Sequence, residues 1–470
     1  MVRNASESVI RISPKNPHYF SWRGKEILLL TSAEHYGAVV NKRFDYRAYI
    51  DTLARYGLNY TRIYPGAHIE VPGMFSATNI LAPGADVIVP WARSDEPGYA
   101  GGGNKFDLDK WDAEYFKRLD DFLSYADKNG VIVEICFFNC MYENIYPYCP
   151  MNKDANIQGV GECTYLEYQT LADKKLVERQ LAYVEKLIIE TNKFDNVIYE
   201  FIDEPTLHGT KNDDTRPWID ALIERAVSAE DKLPKKHMLA QQLMAGLGFY
   251  DDDRLAVNVA QYIDFVCKQV GGRGALNSVY EFDKPIEVNE TAYLPFWYEC
   301  DKVAASRLEA WEFMVGGGAA FNQLNGYFHA GDAVGNDPVN YEVLNGLKLL
   351  REFLEGFDFV KMTRDTDVVM HIVPGGFVSA ISERGRQYAI YIHHSFPNLG
   401  GYRYTYFTPN FGAYKPTITL NIEKGDYKLT FIDPKNLNVI SETAITSDGS
   451  GMEMKCPEYE LDIAVKIIRI

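Results

Sequence analysis

A (β/α)8 barrel of the TIM type (class α/β), followed by a small all-β sandwich, is the architecture this 470-residue sequence predicts. Three observations predict it. Up to about residue 355, stretches of helical periodicity alternate with short apolar runs of the kind buried on both faces of a parallel sheet. Eight such runs occur. Beyond Gly356 the texture changes to short alternating runs separated by turn signals. The expected division is residues 1–355 for the barrel with its N-terminal hairpin and 356–470 for the sandwich.

Residues 9–22 are expected to form a hairpin closing the bottom of the barrel, and 27–32 the first strand. In 44–56, Tyr46, Tyr49, Ile50, Leu53 and Tyr56 share one helical face; Gly57 fits the cap, and strand 58–64 follows at once. Segment 116–129 repeats the pattern with Phe116, Leu119, Phe122, Leu123 and Ala126, then Gly130 and strand 131–138. Helices at 174–192 and 218–227 precede strands at 197–203 and 237–242. Further strands are predicted at 263–268, 285–290 and 318–324, before a last amphipathic helix at 341–354. This alternation implies parallel strands joined by right-handed crossovers. An open doubly wound sheet is the alternative, but no G-x-G-x-x-G follows an early strand. The glycine runs 101–103 and 316–318 also lack the Lys-Ser/Thr of a phosphate loop. After residue 356, runs at 388–393, 417–422, 427–431 and 461–468 are separated by turns such as Lys424-Gly425 and Asp448-Gly449. No long linker precedes them, so the sandwich is expected to pack directly on the barrel.

With 48 basic against 65 acidic residues, the net charge of −17 argues against nucleic acid or an anionic membrane as partner. The seven cysteines are odd in number, and Cys136-x-x-x-Cys140 has no second pair of ligands, so neither zinc nor a disulfide framework is expected. No apolar stretch has the length of a membrane span, and the first residues carry no apolar core of a signal peptide. A cytoplasmic protein and the mature part of a secreted one both remain open. Of the 32 Tyr, 25 Phe and 6 Trp, most are expected in the core; some suit stacking on the apolar face of a sugar ring.

In such a barrel, chemistry sits at the C-terminal ends of the strands. Those ends carry Glu34-His35-Tyr36, Arg62, Asn139, Asp203-Glu204, Gln241-Gln242, Lys268-Gln269, Asn289-Glu290, and Asn322 with Asn325. Such a set suits a ligand covered in hydroxyls. Two of these residues, Glu204 and Glu290, stand on strands four and seven, which face each other across a closed barrel. Paired carboxyls are what glycosidic cleavage needs: one protonates the leaving oxygen and the other attacks or activates water. Each acid alone is as readily a solvated turn residue. Glu287 is a rival nucleophile; its odd offset places it on the opposite strand face from Glu290. Arg62 alone reads equally as a barrel-core salt bridge, and His35 as a packed histidine. The long loops 65–111 and 140–164, with Trp91, Arg93, Tyr99, Asn104, Tyr142, Tyr146 and Tyr148, are expected to wall one end of a groove.

The run Val197-Ile-Tyr-Glu-Phe-Ile-Asp-Glu-Pro205 resembles the Asn-Glu-Pro strand of the clan A glycoside hydrolases. Lys284-Pro-Ile-Glu-Val-Asn-Glu290 is similar to their strand-seven segment, and Tyr60-Thr-Arg-Ile63 to their arginine-bearing strand two. The resemblance spans residues 15–355 and is nearest to family 5-like, cellulase-like members. It implies a retaining β-glycosidase with Glu204 as acid/base, Glu290 as nucleophile and Arg62 holding the nucleophile ionised. It further implies a neutral carbohydrate substrate met by Arg62, Asp203, Asn139, His35, Gln242 and Asn322, with no metal or cofactor. Asp203 stands where the family has Asn, and Cys267-Lys-Gln269 where it has a histidine and an aromatic. Two other readings are a catalytically silent carbohydrate-binding barrel and a lyase or aldolase with Lys268 as Schiff base. Sugar, linkage and oligomeric state are not set by the sequence.

Overall fold

The structure, a computed structural model, describes residues 6–71, 79–205, 211–242, 252–261, 263–264, 269–291, 300–397 and 407–470. Eight strands run β1 (Leu29–Ala33), β2 (Tyr60–Ile63), β3 (Ile132–Asn139), β4 (Val197–Asp203), β5 (Leu239–Gln242), β6 (Val257–Gln261), β7 (Ile286–Glu290) and β8 (Ala320–Leu324). They form one sheet in the order β1-β8-β7-β6-β5-β4-β3-β2, each neighbouring pair parallel. The two end strands of that ladder also meet. Asn59 N–H donates to Leu30 O at 3.3 Å and Tyr64 N–H to His35 O at 3.2 Å. The Asn59 amide clamps the same edge, accepting from Leu30 N–H at 3.1 Å and donating to Leu28 O at 2.8 Å. The sheet therefore curls, and side chains on its inner face point at one another.

Among the described residues, seven longer helices cover its outside, besides the short turn of helix Pro83–Asp86: α1 (Tyr46–Arg55), α2 (Ala113–Lys128), α3 (Lys174–Thr191), α4 (Asn212–Glu230), α5 (Gly271–Val279), α6 (Lys302–Val315) and α7 (Pro338–Glu355). Five start at an aspartate (Asp45, Asp112, Asp173, Asp301, Asp337) whose carboxylate accepts a first-turn N–H. Gly57 and Gly130, at φ +69 and +74, turn α1 and α2 into the strands that follow; that left-handed conformation suits glycine. Among the described residues no helix is long and apolar enough to cross a membrane.

Seven strands lie within two residues of their expected positions, and the sixth does not. The run 263–268 has the more apolar texture, yet the sixth strand is Val257–Gln261, paired to β5 and β7. Its Val257 and Val259 pack among the apolar residues at the strand origins. Ile263–Asp264 instead pairs antiparallel with Gln269–Val270, and 265–268 lies outside the described residues. Helix α5 follows there without having been expected.

At the bottom, three antiparallel strands (Arg11–Ile12, Phe20–Trp22, Lys25–Ile27) bring Ile10 and Phe20 against Leu29, Tyr60, Ile132 and Ile198. At the C-terminus, besides the short pair Phe396–Pro397 and Phe407–Thr408, lie two larger antiparallel sheets. One is six-stranded, in the order Thr363–Arg364, Phe377–Glu383, Gln387–His393, Asp462–Arg469, Gly425–Ile432, Val439–Ser447. The other is three-stranded, with Val369–Val373, Thr417–Leu420 and Met452–Lys455. Tyr388, Ile390 and Ile392 of the larger sheet share an apolar core with Ile418 and Leu420 of the smaller. The larger sheet docks on α6: Trp311 packs on Tyr391 with ring centroids 5.4 Å apart, and the Arg307 fork grips Asp462 at 2.9 and 3.1 Å. Glu312 lies 2.6 Å from His393 Nε2 and also pairs with Arg273.

Candidate active site

The inner face carries charge in layers. Tyr60 on β2 places its hydroxyl against carboxyl oxygens of both Glu134 on β3 and Glu287 on β7. A hydroxyl has one proton to donate, so the second contact needs a proton from a carboxyl. Burial first, and then repulsion from neighbouring carboxylates, supply that condition, pushing Glu134 well above its ordinary value and Glu287 up to about 8.

One turn higher, Arg62 is fully buried and serves several acids. It reaches Glu200 Oε2 from Nε and Nη2 at 2.8 and 2.6 Å, Asp203 Oδ1 at 2.9 Å and Glu290 Oε2 at 3.2 Å. Asn289 Nδ2 donates to the other Glu200 oxygen at 3.0 Å. Glutamates in the middle of continuous apolar strands were the signal for this layer, because a carboxylate there must find a partner. Glu134 and Glu200 carried that signal and were not singled out.

Glu287 and Glu290 both face inward, contrary to the strict alternation expected of β7. The register against β6 pairs Val288 with Ala260 and then Glu290 with Gln261, so Asn289 is one extra residue in β7. Such a bulge re-aims the side chains beyond it. Glu287 ends fully buried, while Glu290 keeps a 4% exposure at the end of the strand.

There Glu290 lies 3.6 Å from His35 Nδ1. Burial, then the charges of Asp203 and Glu204, push its carboxyl well above the usual range, and Arg62 opposes them. His35 is held well below the ordinary imidazole value by burial and Arg62, so it is neutral. Asn322 Nδ2 sits 2.8 Å from its Nε2; an amide donating there leaves the ring proton on Nδ1, facing Glu290.

Glu204 follows the last residue of β4 with φ +48, a left-handed backbone that a side-chain-bearing residue adopts at a cost. Gln242 holds this turn from β5. Its Oε1 accepts the Glu204 N–H and its Nε2 donates to Asp203 Oδ1 at 2.9 Å. The Glu204 Oε2 receives Cys140 Sγ–H and Tyr142 O–H, each at 3.4 Å.

The other expected contacts separate into two groups. Asp203, expected to meet the substrate, is buried in the arginine network, with Tyr64 O–H on Oδ2 at 2.5 Å and Arg62 and Gln242 on Oδ1. Arg62 and Gln242 are likewise enclosed and act on the two glutamates. Asn139 and Asn322 are buried at the mouth, each with a side-chain oxygen lacking a partner. Lys268 lies outside the described residues and beyond the true sixth strand, which ends at Gln261. Trp91 and Tyr99 pack inside, on Tyr183 and Phe106, and form no sugar platform. His68, with its ring among Tyr36, Tyr64 and Tyr142, went unnoticed in the sequence; burial takes it down to about 4.

No family model and no curated protein matches the sequence. Solved structures do match in shape. One, named a glycoside hydrolase, is 13% identical with a TM-score of 0.62, covering 100% of this chain and 99% of its own. A glycoside hydrolase family 5 protein from Bacteroides vulgatus ATCC 8482 is 14% identical with a TM-score of 0.61, over 98% and 94%. A maltogenic alpha-amylase from Thermotoga neapolitana is 10% identical with a TM-score of 0.53, over 94% and 99%. At these identities the likeness is one of fold: the chain has the fold on which these glycoside hydrolases are built.

Proposed function

We propose that this chain is a retaining β-glycoside hydrolase that cleaves a neutral β-linked glycan by double displacement. Its catalytic (β/α)8 barrel would span residues 1–355 and a β-sandwich residues 356–470. The observation that supports the reading is that Glu204 and Glu290 stand at the ends of β4 and β7, with the Glu204 charge near enough to raise the proton affinity of Glu290. Two such carboxyls settle on one proton between them, the state that glycosidic cleavage starts from. Arg62 and the Nδ1–H of His35 both favour the charge on Glu290, leaving the proton to Glu204. Glu204 then protonates the leaving oxygen while Glu290 attacks the anomeric carbon. Once Glu290 is a neutral glycosyl ester, the repulsion is gone and Glu204 accepts a proton from water. The fold alone does not choose the anomeric configuration, since an alpha-amylase shares it; the β assignment rests on the sequence resemblance of β2, β4 and β7.

The test is a screen of purified protein on β-linked oligo- and polysaccharides with product analysis. Glu204→Gln is expected to lower kcat/KM by about 10²–10⁴-fold on substrates with poor leaving groups, and Glu290→Gln to abolish turnover. A fluoroglycoside label is expected on Glu290, and its attachment elsewhere overturns the nucleophile assignment. Glycan binding without hydrolysis across the panel selects the silent barrel. That outcome has one feature in its favour, the strong pull of burial toward a neutral Glu290.

A further inference from the structure

Glu204 receives two side-chain donors on a single oxygen, both from the segment just beyond β3. Cys140 continues directly from Asn139, and its N–H is fixed on Asp203 O at 3.0 Å. That backbone bond sets the thiol beside the turn that carries Glu204, with Sγ 3.4 Å from Oε2. The Tyr142 hydroxyl approaches the same Oε2 at 3.4 Å. Cys140 is buried, and burial together with the Glu204 and Asp203 charges pushes its thiol well above the ordinary value. It is therefore a neutral donor and not a thiolate nucleophile.

We propose that Cys140 and Tyr142 are positioning residues for the proton of Glu204. With both donors on Oε2, that oxygen is the poorer site for the proton of the acid form. A thiol is a weak donor. At this position it orients the carboxyl and excludes water while stabilising the ionised form only slightly, so Glu204 keeps a proton to give. This inference rests on the assignment of Glu204 as acid/base.

The test is the pH profile of kcat/KM in Cys140→Ala, Cys140→Ser and Tyr142→Phe, on a hydrolysed substrate with a poor leaving group. Losing a donor to the carboxylate raises its proton affinity, so Cys140→Ala and Tyr142→Phe are expected to move the basic limb upward by about 0.5 unit, the size set by one weak hydrogen bond. Cys140→Ser keeps a donor, and a stronger one, and is expected to hold the limb at or below the wild-type position. Thermal unfolding of each variant checks folding, and if Cys140→Ala misfolds, the Ser and Phe variants decide. Basic limbs that coincide in wild type and every folded variant overturn the proposal. If Glu204→Gln keeps full activity, it is the acid/base assignment that has failed, a result distinct from unmoved limbs in an enzyme that needs Glu204.

Discussion

Glu204 sits at φ +48, and the strain is local: the residue precedes Pro205 and follows a strand whose members are extended. What holds it is the Gln242 amide, which spans Asp203 Oδ1 and the Glu204 N–H. Gln242→Met keeps the volume but takes one hydrogen-bond partner from each group in a buried site, at about 1–3 kcal/mol. The expected outcome is a lower kcat with KM nearly unchanged and a lower urea midpoint. A variant with wild-type kcat shows that the turn is held by other contacts. Asp203 has a comparable history. As a sequence letter it marked a departure from the family's Asn. In the structure its charge answers Arg62, a role an uncharged Asn fills less well.

At the scale of elements, β7 and α6 depart most from what periodicity alone implies. A single extra residue, Asn289, lets Glu287 and Glu290 share the inner face although they are three apart. Helix α6 is buried along almost its whole length, because one side packs on the sheet and the other on the C-terminal strands. Its Arg307 is 9% exposed and depends on Asp462, which also accepts from Tyr391 O–H at 2.7 Å. Asp462→Ala is expected to cost about 3 kcal/mol, because it strands a buried guanidinium. Calorimetry checks it: the transition falls in temperature and, if the two parts unfold as a unit, stays single.

Across the whole molecule, the interior holds more carboxyls than the one guanidinium of Arg62 can neutralise, so stability depends on pH. Glu34 and Glu287 are pushed up to about 8 by burial, whereas unfolded they titrate near 4.5. Between those values the folded state binds more protons, so stability falls as pH rises. His68 acts oppositely, held at about 4 against 6.5 unfolded, so below pH 6.5 it makes stability rise with pH. The acids therefore show cleanly between pH 6.5 and 8. There the unfolding free energy is expected to drop by about 2 kcal/mol for each carboxyl that keeps its proton. Urea titrations across that window check it. Glu34→Gln or Glu287→Gln is expected to flatten the slope, and a flat wild-type profile means these acids are ionised in the folded protein.

Much of this was legible in the chain because it depends on neighbours in sequence. Gly57, Gly130 and the apolar runs act within a few residues, and they located seven strands and put Glu204 and Glu290 at strand ends. The sixth strand was misplaced because 263–268 is locally the better apolar run; pairing to β5 and β7, which no local pattern encodes, selects 257–261 instead. The same long-range pairing inserts Asn289 as a bulge and puts Glu287 and Glu290 on one face. It also gathers Glu134, Glu200, Glu287 and Arg62 from four strands into one layer. Side-chain identity supplied the acids, but only the curled sheet determined which of them come together, because electrostatics acts through distances that sequence separation does not record.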